Sequence, residues 1–251
     1  PPVKSTSTPT PAPPPVVKPS PTPDVYVDNQ PLLTELGFLL GELLEYQVTM
    51  HGKPVGTIAL NTKERKRVDG QDCLLLTAAV TSVAPGSTTL RSGDLMQVRV
   101  DPNTLAPKYY ESKFSSPFAS LNQTLTFDPN GGEVGTGGKS TVDAPVGTHT
   151  ILSLMYAIRS FNLKPSKDPS NPVNDTRVAV FWGDKPLIFT LRPSGNEEIT
   201  IGSEKFAAQL ITISTTDKEL DTLGLRVWLG SEDRVPLRFA AGQEIVRQGE
   251  P

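Results

Sequence analysis

Cysteine and histidine are the scarcest reactive residues in this chain of 251 residues. Cys73 is the one cysteine, and His51 and His149 are the two histidines. These numbers exclude a disulfide framework and a cysteine zinc site, and two distant histidines cannot form a typical zinc set. Cys73 stands in an apolar run, where a lone thiol normally behaves as a small buried hydrophobe. We therefore expect no metal and no other cofactor.

The residues needed for nucleophilic catalysis are equally scarce. Such catalysis requires a Ser, Cys or Thr beside an oriented base. His51 falls in a predicted hairpin turn and His149 at the start of a predicted helix, which favours surface or capping roles. Ser153 follows His149 by one helical turn, but it lacks the glycines of a nucleophile elbow. We expect no catalytic residues and no enzyme; a water-accessible cleft that joins Ser153, His149 and a carboxylate would favour a hydrolase instead.

The chain also lacks a strong excess of either charge. It has 24 basic and 27 acidic residues, a formal net charge of −3. No strong field therefore attracts phosphate backbones or anionic lipids. The one local basic run, Lys63–Arg67, is interpreted as a solvated strand end. Nucleic acid is not an expected partner.

Long hydrophobic runs are absent from the sequence. No stretch approaches the roughly 18 apolar residues of a membrane helix, so no transmembrane segment is predicted. No signal peptide is visible either. Because proline is awkward directly after a signal-peptidase site, we expect that Pro1 is not the processed end. Trimmed residues or the lipidated cysteine of a lipoprotein would precede it, which the intact mass of the native protein tests.

Proline, by contrast, is abundant at the start of the chain. Ten of the 25 prolines fall in the first 23 residues, together with many Ser and Thr and no aromatic residue. This composition favours polyproline II, which extends about 3.1 Å per residue. We predict an arm over residues 1–31 and a single β-rich domain over 32–251. The arm either spaces the domain from an anchor or docks along a partner.

A period of two begins after residue 41. Tyr46 and Val48 alternate with Glu45 and Gln47, as in a strand with one buried face. Similar short segments recur between turn-forming residues. This pattern predicts a mainly β fold in which an antiparallel curved sheet forms a barrel or half-barrel. The predicted strands are Leu44–Met50, Val55–Asn61, Leu74–Thr81, Leu95–Val100, Lys108–Lys113, Thr124–Phe127, Arg177–Trp182, Leu187–Arg192, Glu198–Ile201, Phe206–Ser214, Leu225–Leu229, Leu237–Ala240 and Glu244–Arg247.

One segment has helical periodicity instead. Over residues 148–161, Ile151, Leu154, Met155 and Ile158 stand at i, i+3, i+4 and i+7, and a threonine just before them supplies a cap. This predicts one amphipathic helix that packs its apolar stripe on the concave face of the sheet. Such an arrangement leaves room for an apolar ligand between sheet and helix. The candidate ligand-binding residues are Tyr46, Leu154, Met155, Ile158, Trp182 and Trp228.

A leucine-rich segment precedes the first strand. Leu32, Leu36, Leu39 and Leu40 share a helical face, although Gly37 weakens the helix. The segment is predicted to form a short helix or plug that packs either against its own sheet or on a partner. The candidate partner-binding residues are Leu32, Leu33, Leu36 and Phe38.

Four short sequence motifs carry a family resemblance. They are Gly41–Tyr46 with Gly52–Thr57, Asp101–Pro107, Ile151–Arg159 with Leu163–Pro165, and Val227–Leu229 with Asp233–Arg238. With these motifs in this order, the chain resembles the bacterial exported family known as domain of unknown function 3108 over roughly residues 37 to 247. The resemblance implies an envelope location and a lipocalin-like or half-barrel β fold, with no catalytic residues. Thr150 stands where many members carry Asp.

These observations lead to two expectations about function. The first is a non-enzymatic interaction or structural protein of the periplasm or outer membrane of a Gram-negative-type bacterium. It would be a subunit of an assembly, contacted through the proline-rich arm. The alternative is a carrier that binds a lipid or another apolar ligand in the concave sheet.

Overall fold

The computed structural model describes residues 36–128, 132–138, 140–164, 170 and 174–242. The predicted arm over 1–31, the candidate partner residues Leu32 and Leu33, and the predicted strand Glu244–Arg247 lie outside the described residues.

Two antiparallel sheets make up the described part of the chain. The first has eight strands in the sequential order β1 to β8, and the second has five, β9 to β13, also sequential. The sequence prediction of a mainly β, antiparallel fold with one main helix is confirmed. The strands are β1 Leu43–Met50, β2 Lys53–Val68, β3 Gln71–Val83, β4 Leu95–Val100, β5 Pro107–Lys113, β6 Gln123–Phe127, β7 Glu133–Gly135, β8 Thr141–Asp143, β9 Thr176–Trp182, β10 Lys185–Ile201, β11 Glu204–Thr215, β12 Leu225–Gly230 and β13 Pro236–Ala240; the helices are a 3-10 turn Phe118–Leu121, α1 Ile151–Ala157 and α2 Lys218–Asp221.

Tight turns explain why consecutive strands pair. Asp69 and Gly70 connect β2 to β3, both at positive φ (50° and 79°), and His51 and Gly52 connect β1 to β2 in the same way. Two-residue turns with both φ values positive match the right-handed twist of the flanking strands. Each hairpin therefore places the next strand beside the last, and a meander results.

Some strands differ from their predicted lengths. Leu187–Arg192 and Glu198–Ile201 belong to one strand, β10, because a bulge between Pro193 and Asn196 lets pairing with β11 continue. The basic run Lys63–Arg67 forms the largely exposed end of β2, as predicted. Strands β7 and β8 were not predicted, because three residues each are too few to show alternation.

The helix lies where the sequence places it, but it is shorter than 148–161. Thr150 caps it, since its hydroxyl accepts from the backbone N–H of Ser153. Just before the cap, the backbone of His149 runs beside β9: its N–H donates to Ala179 O at 2.8 Å, and its carbonyl accepts from Phe181 N at 2.8 Å. These contacts hold residue 149 extended, so the helix begins two residues later. None of the described helices has both the length and the apolar composition to cross a bilayer.

The core fills the space between the two sheets, with α1 inside it. The helix contacts β3 and β4 of the first sheet and β9 of the second. Phe127 and Phe181 meet edge-on across the sheets, with ring centroids 6.4 Å apart. Strands β1 and β8 remain the edges of the first sheet. The described strands form two sheets and no closed barrel, where the sequence predicted one curved sheet. This arrangement is consistent with the predicted curved, open sheet, and the lipocalin-like detail is not confirmed.

Arg234 ties the end of α1 to the closing hairpin of the second sheet. Its guanidinium donates to the carbonyls of Arg159 at 2.5 Å, Ile158 at 3.1 Å and Phe161 at 3.1 Å. Burial, together with the nearby positive charge of Arg159, lowers the pKa of Arg234 below its usual value. Three carbonyls just after α1 thus accept from one side chain. That of Phe161 also accepts from Leu163 N at 3.0 Å.

A second arginine extends this connection to the start of the first sheet. Arg159 is almost fully buried and pairs with Glu42, with 2.5 Å between Nη1 and Oε1. Glu42 stands just before β1, and its carbonyl accepts from Thr62 N on β2. Glu42, Arg159 and Arg234 therefore link β1, α1 and β13, and we call this set the arginine link.

The segment before β1 forms a plug, but not a helix. Phe38 is 7% exposed; it packs edge-on against Tyr156 at 5.0 Å and lies against the guanidinium of Arg159. Its assignment to a partner surface is therefore wrong for this residue, because its side chain is buried in its own core. Leu36 is half-buried against the same core. Gly37 leaves room for Arg159, whose Cβ would lie 3.3 Å from an added Cβ.

The arginine link predicts a specific loss of stability in Arg234→Lys. A lysine keeps the charge but cannot donate to three carbonyls in the guanidinium geometry, so buried acceptors lose partners. We expect the free energy of unfolding, measured by urea titration, to fall by about 2 kcal/mol. The exposed Arg67→Lys is the matched control, with a change within about 0.5 kcal/mol. Equal effects of the two substitutions would contradict this role.

Candidate functional site

A cavity of about 660 Å³ lies between the first sheet, α1 and the hairpin that joins β9 to β10. We call it the sheet–helix cavity. It forms because one short helix does not fill all the space against the inner face of the sheet with side chains. Its lining residues are Ile58, Ala78, Ala79, Val80, Leu90, Asp94, Met96, Tyr110, Phe114, Phe118, Ser120, Leu121, Gln123, Thr150, Ile151, Met155, Phe181, Trp182, Gly183 and Asp184.

The walls of this cavity are apolar, and its set of charged groups is small. Ile58 and Val80 face each other across β2 and β3, while Met155 contributes from α1. The lining set contains two carboxylates and no Lys or Arg. The carboxylate of Asp94 already accepts from two backbone N–H groups, Arg91 at 2.9 Å and Ser115 at 2.7 Å. The cavity therefore has no cation to pair with an anionic ligand.

Of the six candidate ligand-binding residues, Met155 and Trp182 line the sheet–helix cavity. Leu154 and Ile158 are buried in the main core and do not line it. Tyr46 lies at the junction of the two sheets, where its hydroxyl donates to Pro236 O at 2.6 Å and its ring meets Phe239. Burial raises the pKa of the Tyr46 hydroxyl well above its usual range.

Trp228 does not face the cavity. Its neighbours Val227 and Leu229 occupy the inward positions of β12, so alternation along the strand turns Trp228 to the opposite face. There it packs in a small separate cluster with Ile199 and Ala208, and its indole N–H donates to Glu197. Trp228 therefore does not occupy a position facing the main core, and the polar Arg226, which shares its face and lies 5.6 Å from its ring, was the signal for this in the sequence.

Sequence reasoning missed several residues of the cavity. Ile58 and Met96 stand at inward positions of β2 and β4, so the period of two was a signal that could have identified them. Phe114 and Phe118 come from the segment between β5 and β6. No local pattern indicates that such a segment folds over the mouth of a cavity.

A second cavity, of about 680 Å³, lies at the end of the first sheet where several turns converge. We call it the end cavity. The Asp101–Pro107 motif contributes to it, together with Asp128 and Gly132 from the described ends of the segment between β6 and β7. It shares no lining residue with the sheet–helix cavity. Its lining residues are Gln71, Asp101, Asn103, Thr104, Ala106, Pro107, Lys108, Phe127, Asp128, Gly132, Glu133, Val134, Ala144, Pro145, Val146, Gly147, Thr148, His149, Phe161 and Val178.

His149 and Ser153 meet beside the end cavity. His149 Nδ1 and Ser153 Oγ are 3.0 Å apart, so the spacing noticed in the sequence does bring the two side chains together. Ser153 Oγ also accepts from Thr150 N at 2.9 Å and completes a capping box. Of the surface and capping roles predicted for His149, a surface role does not hold, because its backbone pairs with β9 and the residue is buried. Thr150 is the N-cap of α1.

The contacts of His149 and Ser153 are those of a helix cap. Ser153 is 0% exposed, so its hydroxyl has no access to a substrate. Within the described ranges, no carboxylate contacts His149, and no group of three His, Cys, Asp or Glu side chains could hold a metal ion. The Ser153 hydroxyl serves as a cap and a partner for the imidazole.

Burial of His149 predicts a dependence of stability on pH. Burial lowers the pKa of His149 to about 4, whereas an unfolded chain has an ordinary value near 6.5. As the pH falls, the unfolded chain binds the proton first, so stability that is complete above pH ~6.5 is lost toward pH ~4. We expect this loss, measured by urea unfolding, to be about 3 kcal/mol larger in the parent than in His149→Asn.

The matched control is His51→Asn, in an exposed turn where Asn tolerates the positive φ. It should keep the pH dependence of the parent. An unchanged pH profile in His149→Asn would show that the imidazole is not buried.

Comparison with known proteins gives one match. A search of curated proteins and a search of solved structures found no significant similarity. A family model described as protein of unknown function, DUF3108, matches residues 45–245. The match covers most of the chain and includes the four motifs that carry the resemblance, except residues 41–44 at the start of the first motif. The chain therefore belongs to the DUF3108 family.

Proposed function

We propose that this protein is a non-enzymatic binding protein of the bacterial cell envelope that holds an uncharged apolar molecule in the sheet–helix cavity. The observation that carries the proposal is the cavity itself, an apolar space between the inner face of the first sheet and α1. Its volume of about 660 Å³ lies within the usual range for small-molecule sites, roughly 300–1,000 Å³. Of the two functions expected from the sequence, the carrier is the one that this geometry favours.

Burial of a hydrocarbon chain would supply the binding energy. Each CH₂ group removed from water contributes about 0.8 kcal/mol, so ten groups contribute about 8 kcal/mol before the cost of association. Because the site lies between packed elements, little ordering is required of the protein. The expected affinity is therefore in the micromolar range or weaker.

The absence of a lining cation selects against anions. A fatty-acid carboxylate would lose its hydration without gaining a partner, which is costly. The Asp94 carboxylate would also repel it. An alcohol, ester or amide head group avoids both penalties, and we therefore propose a neutral ligand.

The buried Ser153 hydroxyl supports the non-enzymatic part of the proposal. It is enclosed and engaged in the helix cap. A nucleophile must reach its substrate, and this hydroxyl could do so only if α1 lost its first turn.

The neutral dye N-phenylnaphthylamine tests ligand binding, because its fluorescence rises in an apolar site. We expect the dye to bind with a micromolar dissociation constant and hexadecanol to displace it more effectively than hexadecanoate. Val80→Trp fills the cavity from β3 and should weaken dye binding at least tenfold. Ala207→Trp, on an exposed position of β11, is the matched control and should bind like the parent.

The intrinsic fluorescence of Trp182, which lines the cavity, gives a second reading. Its emission should change on ligand binding in a Trp228→Phe background. No dye binding by the folded parent, or equal binding by Val80→Trp and Ala207→Trp, would contradict the proposal.

A second candidate function, a subunit of an envelope assembly, is favoured by an exposed apolar surface. Leu39, Leu40 and Leu43 are 79%, 61% and 55% exposed within five residues at the start of β1. Soluble domains rarely leave such a group of large apolar residues uncovered without a partner. We call Leu39, Leu40 and Leu43 the leucine surface. It adjoins the plug segment in the chain, and we propose that it contacts the partner in place of the buried Phe38.

Site-specific photocrosslinking in the native cell tests the assembly. A photoreactive residue at Leu40 should give a discrete crosslinked product, whereas one at Leu223, which is 43% exposed and distant in sequence, should not. The products are identified by mass spectrometry. No product at Leu40 would contradict the assembly, and cytoplasmic partners would contradict the envelope location.

A further inference from the structure

The end cavity is open at the turns of the first sheet and apolar at its depth. Phe127, Val134, Phe161 and Val178 are all buried and form its inner wall. They come from both sheets and from the segment after α1. The inner wall is therefore part of the main hydrophobic core. A space of about 680 Å³ with such a wall suits a small organic molecule.

One ring nitrogen on this wall has no hydrogen-bond partner among the described residues. It belongs to His149, which is 7% exposed and lines the cavity. The Nδ1 atom of His149 is engaged with Ser153 Oγ at 3.0 Å, whereas Nε2 makes no hydrogen bond within the described part of the chain. Nε2 is therefore open to a hydrogen bond with a ligand or a water in the cavity.

The network around Ser153 allows Nε2 either hydrogen-bond role. Ser153 Oγ accepts from Thr150 N at 2.9 Å and lies 3.2 Å from Thr150 O. When His149 Nδ1–H donates to Ser153 Oγ, Nε2 is an acceptor; when the Ser153 hydroxyl donates to Nδ1, Nε2 carries the proton and is a donor. Both arrangements leave Thr150 O satisfied, because it accepts from Leu154 N at 2.9 Å. Burial keeps the imidazole neutral at neutral pH, so a ligand that donates a hydrogen bond selects the first arrangement.

The mouth of the end cavity has an excess of negative charge. Asp101, Asp128 and Glu133 line it, against one cation, Lys108. Lys108 is already engaged, 3.5 Å from Asp101 and donating to Asp72 O at 3.0 Å. The field at the mouth therefore favours a cation over an anion.

We propose that the end cavity is a second ligand site, which takes a small molecule with a protonated amine on an apolar body. The apolar body lies against Phe127 and Phe161, and the amine donates to His149 Nε2 near the carboxylates of the mouth. The site is independent of the sheet–helix cavity, since the two have no lining residue in common. Either proposal can therefore fail alone.

A matched pair of probes tests the charge preference: phenylbutylamine and phenylbutyrate, which share one apolar body. By isothermal titration calorimetry of the full chain, the amine should bind at least fivefold more tightly than the acid, and less so at high salt. Glu133→Gln should weaken amine binding about fivefold, the effect of one exposed charge pair. Glu232→Gln, in an exposed turn, is the control and should bind like the parent.

Nitrogen-15 NMR of the imidazoles tests the contact with His149. The amine should shift the Nε2 resonance of His149 and leave that of His51 unchanged. Ala106→Trp, a substitution at the half-exposed mouth, should abolish both the shift and the binding while His149 is left in place. Equal affinity for the two probes, an unmoved His149 resonance, or full binding by Ala106→Trp would overturn the proposal.

Discussion

The arginine link is the interaction on which the remaining structure depends. A seven-residue helix is too short to be stable alone, because nucleation is costly and few hydrogen bonds repay it. The Arg234 guanidinium donates to three carbonyls in the segment just after the helix, and Arg159 in turn neutralises Glu42 before β1. Since these residues come from the beginning, middle and end of the domain, the two sheets and the helix hold one another in place.

The position of α1 creates both cavities. The capped start of the helix, around Thr150, contributes to the sheet–helix cavity, whereas His149, one residue earlier, contributes to the end cavity. The cap is thus a wall between two spaces of different character. One is apolar without a lining cation, and the other has a buried imidazole and an acidic mouth. The fold in this way has two cavities with different lining chemistry.

The polar network in the wall explains how a buried histidine is tolerated. Ser153 and Thr150 satisfy each other's backbone and side-chain groups, and the imidazole joins through Nδ1. A neutral histidine needs one donor and one acceptor partner, and only one of these is present among the described residues. The spacing of His149 and Ser153 in the sequence resembles part of a catalytic set. In the folded chain the two side chains contact each other, and Ser153 belongs to the helix cap.

The sequence by itself determined the class of fold, the places of most strands, the place of the main helix and the family. Alternation along single strands, turn words such as Asp69–Gly70 and one stripe at helical spacing are local signals, and local signals are what a sequence displays directly. Only the tertiary structure decided that Trp228 faces away from Trp182, that Phe38 is a plug, and that Arg234 caps α1. Those outcomes depend on contacts between residues far apart in the chain, such as the 75 positions between Arg159 and Arg234, and no local periodicity encodes such contacts.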